Sequence, residues 1–224
     1  MSLRLIGEAP KGRLKMLQVH CMREILDKGA FTLITKETEL PNVLKTLTRM
    51  PALVVCDSQV FDKVADAIDE KIPLTTFSIL MARFKGDINK LLNGVEMIEE
   101  LVPGDRVLIA EACTHHPISE DIGRVQIPRL LQEAAGGQLH IDVLAGRDFP
   151  DDLSGYKLII HCGACVFNRR EMLSRINKAE SANVPVTNYG LVITHCRGLL
   201  ERAIGPLFEL DRQRDKLNKP IVQN

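Results

Sequence analysis

The sequence predicts an α/β protein of two domains, each a mainly parallel sheet flanked by helices. Short β-branched runs alternate with longer segments of helical periodicity along the whole chain. Continuous apolar runs, such as ALVVC at residues 52–56, are typical of strands that are buried on both faces of a parallel sheet. The length of 224 residues allows one or two domains and a substantial core.

The first half of the chain shows this alternation from residue 14 onwards. Apolar residues recur at helical spacing from Leu14 to Ile25, and Gly29 is expected to end that helix. Pro41 falls in the first turn of the next predicted helix, which is a favourable position for proline. The predicted strands span residues 31–35, 52–56 and 74–79, and the later predicted helices span residues 37–49, 57–68 and 88–101, the last loosened at Gly94.

The clearest break in the middle of the chain is the turn sequence PGD at residues 103–105. It predicts a boundary between a first α/β domain, residues 1–102, and a second, residues 103–224. The second half restarts the alternation, with predicted strands at residues 107–110, 139–143, 157–161 and 184–187 and predicted helices at 123–135, 168–182 and 191–204. Pro206 and the polar tail beyond Asp211 predict a frayed C-terminus.

Composition and charge exclude several classes of function. Lys and Arg together number 29, as do Asp and Glu, so the chain lacks the basic excess of a nucleic-acid-binding or membrane-surface protein. It contains no apolar run of membrane-spanning length, and its first residues lack the apolar stretch of a signal peptide. We therefore expect a cytoplasmic protein that binds neither nucleic acid nor membrane. Phosphate-binding and dinucleotide-binding glycine motifs are also absent from the sequence.

Cysteine and histidine residues follow two of the predicted strands. The strand VLIA runs into EACTHH at residues 111–116, and the strand KLII runs into HCGAC at residues 161–165. Ligands of open parallel sheets bind at the carboxyl ends of the strands. If these two strands are neighbours, three thiols and up to three imidazoles lie at one edge of the sheet. Gly163 is expected to let the backbone turn tightly between the two thiols of the C-x-x-C segment.

This set of side chains leaves three kinds of site open. Cys113, Cys162 and Cys165 suit zinc, with His115 or His161 as the fourth ligand. The same three thiolates suit a 4Fe–4S cluster, whose fourth iron then carries a weaker, exchangeable ligand. A third possibility is a redox pair of Cys162 and Cys165 in a thiol oxidoreductase. Zinc predicts a metal-stabilised α/β binding module, whereas the cluster predicts a carrier of a metal unit.

The remaining cysteines and the nearby acidic residues are weaker signals. Cys21, Cys56 and Cys196 lie on apolar helix faces or strands, and we expect them to be core residues. Glu120 and Asp121 open the helix that leaves the first cysteine segment. Such a pair most often caps a helix, but at this position a carboxylate is within reach of the metal.

Several longer segments of the chain resemble the family of FeFe-hydrogenase maturation scaffold proteins, HydF. The segments IAEACTHH, DIGRVQIPRLL, DFPDDLSGYKLIIHCGAC, NRREMLSRI and VPVTNYG carry the resemblance in the second half. In the first half it is carried by APKGRL, TKETEL, VVCDSQVF and LTTFSILMARFKGD. The family pattern C-x-H…H-C-x-x-C is met by Cys113, His115, His161, Cys162 and Cys165.

The resemblance implies a site, a function and a set of partners. Cys113, Cys162 and Cys165 would ligate a 4Fe–4S cluster, with Glu120 or a histidine (His115 or His161) at the exchangeable iron. The chain would accept a transient di-iron subcluster from two radical maturation enzymes and transfer it to the apo FeFe-hydrogenase. Residues 1–102 would form the dimerisation domain of a homodimer, and residues 103–224 the cluster-binding domain.

One departure from the family limits what the resemblance implies. Family members normally carry an N-terminal GTPase domain, and its phosphate-binding motif is missing from this sequence. GTP would therefore concern only the missing domain, and the chain is expected to be a truncated form. We expect no catalytic residue in it, so the predicted role is that of a carrier and not of an enzyme.

Overall fold

A computed structural model describes residues 2–5, 14, 16–112 and 121–217 of the chain. It contains two four-stranded sheets, in which every pair of neighbouring strands is parallel, and helices flank both sheets. The predicted fold class is therefore confirmed. Among the described residues, no helix is long and apolar enough to cross a membrane.

The strands and helices alternate through both halves. The strands are β1 (Ser2–Leu5), β2 (Thr32–Thr35), β3 (Leu53–Cys56), β4 (Leu74–Thr76), β5 (Arg106–Glu111), β6 (His140–Ala145), β7 (Leu158–His161) and β8 (Val186–Asn188). The helices are α1 (Met16–Asp27), α2 (Leu40–Thr46), α3 (Phe61–Ala67), α4 (Phe77–Lys85), α5 (Ile88–Glu96), α6 (Ile127–Ala134), α7 (Arg169–Ser181), α8 (Tyr189–Cys196) and α9 (Leu200–Leu217). A π-helical turn, Ile122–Gln126, leads into α6.

The two sheets have the same topology. Their strand orders are β2-β1-β3-β4 and β6-β5-β7-β8, so each strand of the first sheet has a counterpart four strands later. The sequence shows no residue-level repeat, because a parallel α/β unit constrains apolar periodicity far more than residue identity. The repeat therefore becomes visible only in the strand order.

A single main apolar cluster runs through both halves of the chain. Its fully buried members come from helices and strands of each half, and they include Phe61, Leu74, Leu91, Ile109, Ile160 and Leu191. Helix α5 follows the first sheet in sequence but packs on β8 of the second sheet. Gly94 does not loosen this helix; a Cβ at that position would overlap the main chain of Val186. The predicted domain boundary near residue 103 stays a prediction.

Two elements of the first half differ from the prediction. Strand β1 was not predicted, although it lies inside the first sheet between β2 and β3. The strand predicted at residues 74–79 ends at Thr76, where α4 begins. The hydroxyl oxygen of Thr76 accepts a hydrogen bond of 3.1 Å from the amide of Ile79 and caps the helix. The apolar residues at the start of α4 resemble a buried strand in the sequence because this helix is largely buried.

The last predicted helix, residues 191–204, is two helices in the structure. Gly198 adopts a φ of +67°, which ends α8 and allows α9 to start in a new direction. Helix α9 contains Pro206 and continues to Leu217, so the fraying predicted beyond Asp211 is wrong up to that residue.

Candidate metal centre

The two cysteine segments follow neighbouring strands, which is the condition for a shared ligand edge. Strand β5 pairs with β7 in parallel, and Ala110 lies opposite His161 in the register. The C-x-x-C segment is described in full, whereas Cys113, His115 and Glu120 lie outside the described residues. The convergence of the three thiols therefore stays a prediction, and the structure addresses the half of the site that contains Cys162 and Cys165.

The sulfur of Cys162 is surrounded by backbone amides. The Ala112 amide donates a hydrogen bond of 3.0 Å to Cys162 Sγ, and the Ala164 amide lies 3.4 Å from the same atom. The Cys162 amide in turn donates to the Ala110 carbonyl at 3.0 Å. Amide hydrogen bonds to sulfur stabilise a thiolate and tune the potential of iron–sulfur centres. The first of these donors is the residue directly before Cys113 in the sequence.

The turn between the two thiols depends on Ala164. This residue adopts a φ of +49° and is only 2% exposed. Gly163 is not in the left-handed region, so the conformational role expected of it falls on Ala164. A non-glycine residue in this region costs about 1 kcal/mol. Surrounding contacts must hold the loop in this conformation.

One such contact comes from Lys85, the last residue of α4. Its ammonium group donates to the carbonyls of Ala164, Cys165 and Phe167 at 2.9, 3.0 and 2.7 Å. The side chain is only 7% exposed. Burial lowers the pKa of Lys85, while the Cys165 and Cys162 thiols act in the opposite direction. Sequence reasoning missed this residue because α4 itself was not predicted.

A second buried basic residue holds the loop through His161. The Arg175 guanidinium lies 3.3 Å from His161 Nε2 and donates to the Gly146 carbonyl at 2.8 Å. It also stacks on the rings of Phe149 and Phe167, with 4.9 and 4.4 Å to the ring centroids. Arg175 thus connects three segments around the base of the cysteine loop.

The ring of His161 is fully buried and uses both nitrogens within the protein. Nδ1 lies 3.0 Å from the Cys162 carbonyl, which can only accept, so Nδ1 carries the proton and Nε2 accepts from Arg175. Burial, and to a lesser degree the charge of Arg175, lowers the pKa of His161 to about 4. A neutral ring with both nitrogens engaged orients Cys162, which disfavours His161 as the fourth ligand.

An acidic residue that was not predicted as part of the site lies at the end of β5. Glu111 is 2% exposed and forms an ion pair with Arg124 at 3.2 Å. Its other oxygen, Oε1, and the Tyr189 hydroxyl are both buried and find no hydrogen-bond partner in the part of the chain that the structure describes. Burial raises the pKa of Tyr189 well above its ordinary value, with Cys162 and Glu111 adding to the shift. The sequence does contain a signal for Glu111, because a charged residue at the end of an apolar strand often has a functional role.

The three remaining described cysteines and Asp121 have structural roles. Cys21 and Cys56 are buried, and Cys196 packs against the main core, as expected. Burial raises the pKa of the Cys56 thiol and raises that of Cys196 to about 11, so both are poor nucleophiles. Asp121 accepts a 2.9 Å hydrogen bond from the Arg124 amide and caps the π-helical turn.

Cys162 and Cys165 fit a soft metal or an iron–sulfur cluster. Neither thiol forms a disulfide and both are partly accessible, and the amides at Cys162 together with Lys85 favour negative charge at this position. Across residues 2–5, 16–112 and 121–217, no group of three or more His, Cys, Asp or Glu side chains is arranged to hold a metal ion. The described part of the site therefore supplies two thiolate ligands.

Comparison with known proteins identifies the two halves separately. The model of the Hydrogen maturase F dimerization domain matches residues 4–86, and that of the Hydrogen maturase F tetramerization domain matches residues 89–206. No curated protein sequence matches the chain. A solved structure described as a LacI-family transcription regulation repressor from Corynebacterium glutamicum aligns over 89% of both chains at 11% identity. Its TM-score of 0.28 is too low for any structural argument.

Proposed function

Since the chain belongs to the hydrogen maturase F family and its domains act in hydrogenase maturation, we propose that it is a cluster scaffold and carrier. It binds a 4Fe–4S cluster with an exchangeable fourth site, accepts a di-iron unit there and passes that unit to apo FeFe-hydrogenase. The observation that carries the proposal is the 3.0 Å hydrogen bond from Ala112 to Cys162 Sγ, because Ala112 directly precedes Cys113.

Three thiolates hold the cluster in this proposal: Cys113, Cys162 and Cys165. With one iron bound by a group other than cysteine, the cluster offers a coordination position where a second metal unit can attach and leave. Glu120 and His115 are the candidates for that position, since His161 uses both ring nitrogens within the protein. Four cysteine ligands would hold every iron strongly and would oppose transfer.

The charges around the described thiols support an anionic group. Lys85 and Arg175 are buried next to the cysteine loop; Lys85 donates to three backbone carbonyls and Arg175 to one. Such fixed positive charges lower the cost of burying a cluster that bears several thiolates. The Cys162 sulfur additionally accepts the amides of Ala112 and Ala164.

The partners follow from the same family assignment. The match to a dimerization domain supports a homodimer formed through the first half. Two radical maturation enzymes would supply the di-iron unit in the cytoplasm, and the apo-hydrogenase would receive it. The chain itself has no turnover in this proposal, and GTP hydrolysis belongs to the domain that family members carry in addition.

Anaerobic reconstitution of the chain with iron and sulfide tests the proposal. We expect about four irons and an equal amount of sulfide per chain, with the spectrum of a 4Fe–4S cluster. A colourless protein with one bound zinc would support the binding-module alternative instead. A reducible Cys162–Cys165 disulfide in a metal-free chain would support the thiol oxidoreductase.

A further inference from the structure

Lys85 connects the two halves of the chain at the cysteine loop. It closes α4, within the segment that matches the dimerization domain, while the loop lies within the segment that matches the tetramerization domain. Its ammonium group donates to three loop carbonyls, those of Ala164, Cys165 and Phe167. A lysine ammonium has three donors, so all of them are used by this one loop.

The connection is reciprocal. Arg169, the first residue of α7, donates to the carbonyls of Phe84 and Gly86, each at 2.9 Å. These two residues flank Lys85 in the sequence. Each half of the chain therefore supplies one basic residue that binds backbone carbonyls of the other half, directly beside the cysteine loop.

The three carbonyls that Lys85 binds define the shape of the loop. Ala164 is held in the left-handed region, and its carbonyl also accepts the Phe167 amide at 3.1 Å. Cys165 contributes its carbonyl to Lys85 while its thiol remains free. Without the ammonium group, each of the three carbonyls would lose a donor, and the strained turn would relax.

We infer that Lys85 is a positioning residue through which the first half of the chain holds the C-x-x-C loop in its ligating conformation and places a fixed positive charge beside the bound cluster. The inference rests on the proposed function for the cluster, but its effect on the loop does not depend on a metal. On this inference, a residue of the segment that matches the dimerization domain is part of the metal centre.

The test compares three variants of the full chain. Lys85→Met removes the donors and the charge, Lys85→Gln removes the charge but keeps an amide donor, and Lys90→Met is the control. Lys90 is also a lysine paired with a residue distant in sequence, Glu180 at 2.6 Å, and its ammonium group donates to Glu180 and not to the loop. All three changes remove one positive charge from the same region of the chain.

Hydrogen exchange of the metal-free chain measures how often the cysteine loop opens. We expect the Phe167 amide to exchange about tenfold faster in Lys85→Met, less so in Lys85→Gln, and at an unchanged rate in Lys90→Met. Unchanged exchange in Lys85→Met would overturn the positioning role. If Lys85→Met fails to fold, the comparison of Lys85→Gln with Lys90→Met decides the same question.

The reduction potential of the reconstituted cluster measures the effect of the Lys85 charge on the cluster. Loss of a neighbouring positive charge disfavours the more negative reduced cluster, so both Lys85 variants should shift to a more negative potential, and Lys90→Met should not. Equal potentials in all variants would overturn this part of the inference. A wild-type chain that binds no cluster would instead overturn the proposed function, while hydrogen exchange still tests the loop.

Discussion

Gly94 of α5 packs directly against the main chain of Val186 in β8. This contact joins a helix that follows the first sheet in sequence to the edge strand of the second sheet. Helix and strand approach so closely that a single added carbon atom would overlap the Val186 carbonyl. The contact is therefore a sensitive point in the packing of α5 on the second sheet.

Substitution Gly94→Ala should destabilise the protein by about 3 kcal/mol, because neither the helix nor the strand can move without disturbing the core. Chemical denaturation measures the change in the free energy of unfolding. Gly205→Ala is the matched control, since Gly205 lies in α9 and no atom of the described residues outside the backbone of that helix lies within 4 Å of its Cβ position. We expect that control to be neutral or to stabilise by up to about 1 kcal/mol. Equal effects at both glycines would contradict the close packing.

Substitution Arg175→Met should destabilise the protein by about 2–3 kcal/mol, because it leaves the buried His161 Nε2 and the partly buried Gly146 carbonyl without their donor. It should also lower the affinity for iron, since His161 then orients Cys162 less firmly. Arg170→Met, on the exposed side of the same helix, is the control and should change stability by less than about 0.5 kcal/mol. Thermal unfolding and iron titration of both variants decide the matter.

Substitution of any one of Cys113, Cys162 and Cys165 by Ala should abolish stable cluster binding, because two thiolates hold a cubane cluster too weakly. The first half should remain folded and dimeric, as measured by circular dichroism and light scattering. Cys196→Ala is the control and should keep its full iron content, since Cys196 packs on the core. Four irons in a variant lacking all three thiols would refute the ligand assignment.

The fourth position calls for a separate pair of variants. Glu120→Gln and His115→Ala should both keep the full iron content, because each can affect only the exchangeable site. The electron paramagnetic resonance spectrum of the reduced cluster should change when the ligand of that site is removed. Only the variant that removes the actual ligand should show this change. If both spectra are unchanged, neither side chain binds the cluster.

The edge strand β2 is where we expect a second copy of the chain to bind. It ends the first sheet on one side, and Phe31 and Ile34 expose 63% and 45% of their surface there. Ile34→Lys should weaken the homodimer at least tenfold by placing a charge in an apolar contact. Val102→Lys, an exposed apolar residue between the two halves, should leave the dimer intact. Sedimentation at several concentrations distinguishes the two results.

Local sequence patterns predicted the two strands that position the site, but not the side chains that hold the cysteine loop. The apolar runs before Glu111 and Cys162 identified two buried parallel strands, and the ligand edge followed from their direction. Helix α4 was missed because its apolar residues suit a buried strand equally well, and only the Thr76 cap distinguishes the two. Lys85 and Arg175 act through contacts that are distant in sequence, which periodicity does not contain.

The crossed bonds between Lys85 and the loop, and between Arg169 and the end of α4, have a consequence for dissecting the chain. A fragment that begins after Gly86 would keep Cys162 and Cys165 but lose the ammonium group that orders their turn. Cluster spectra measured on such a fragment would come from a site whose cysteine loop is less ordered than in the intact chain. Spectroscopy should therefore use the intact chain.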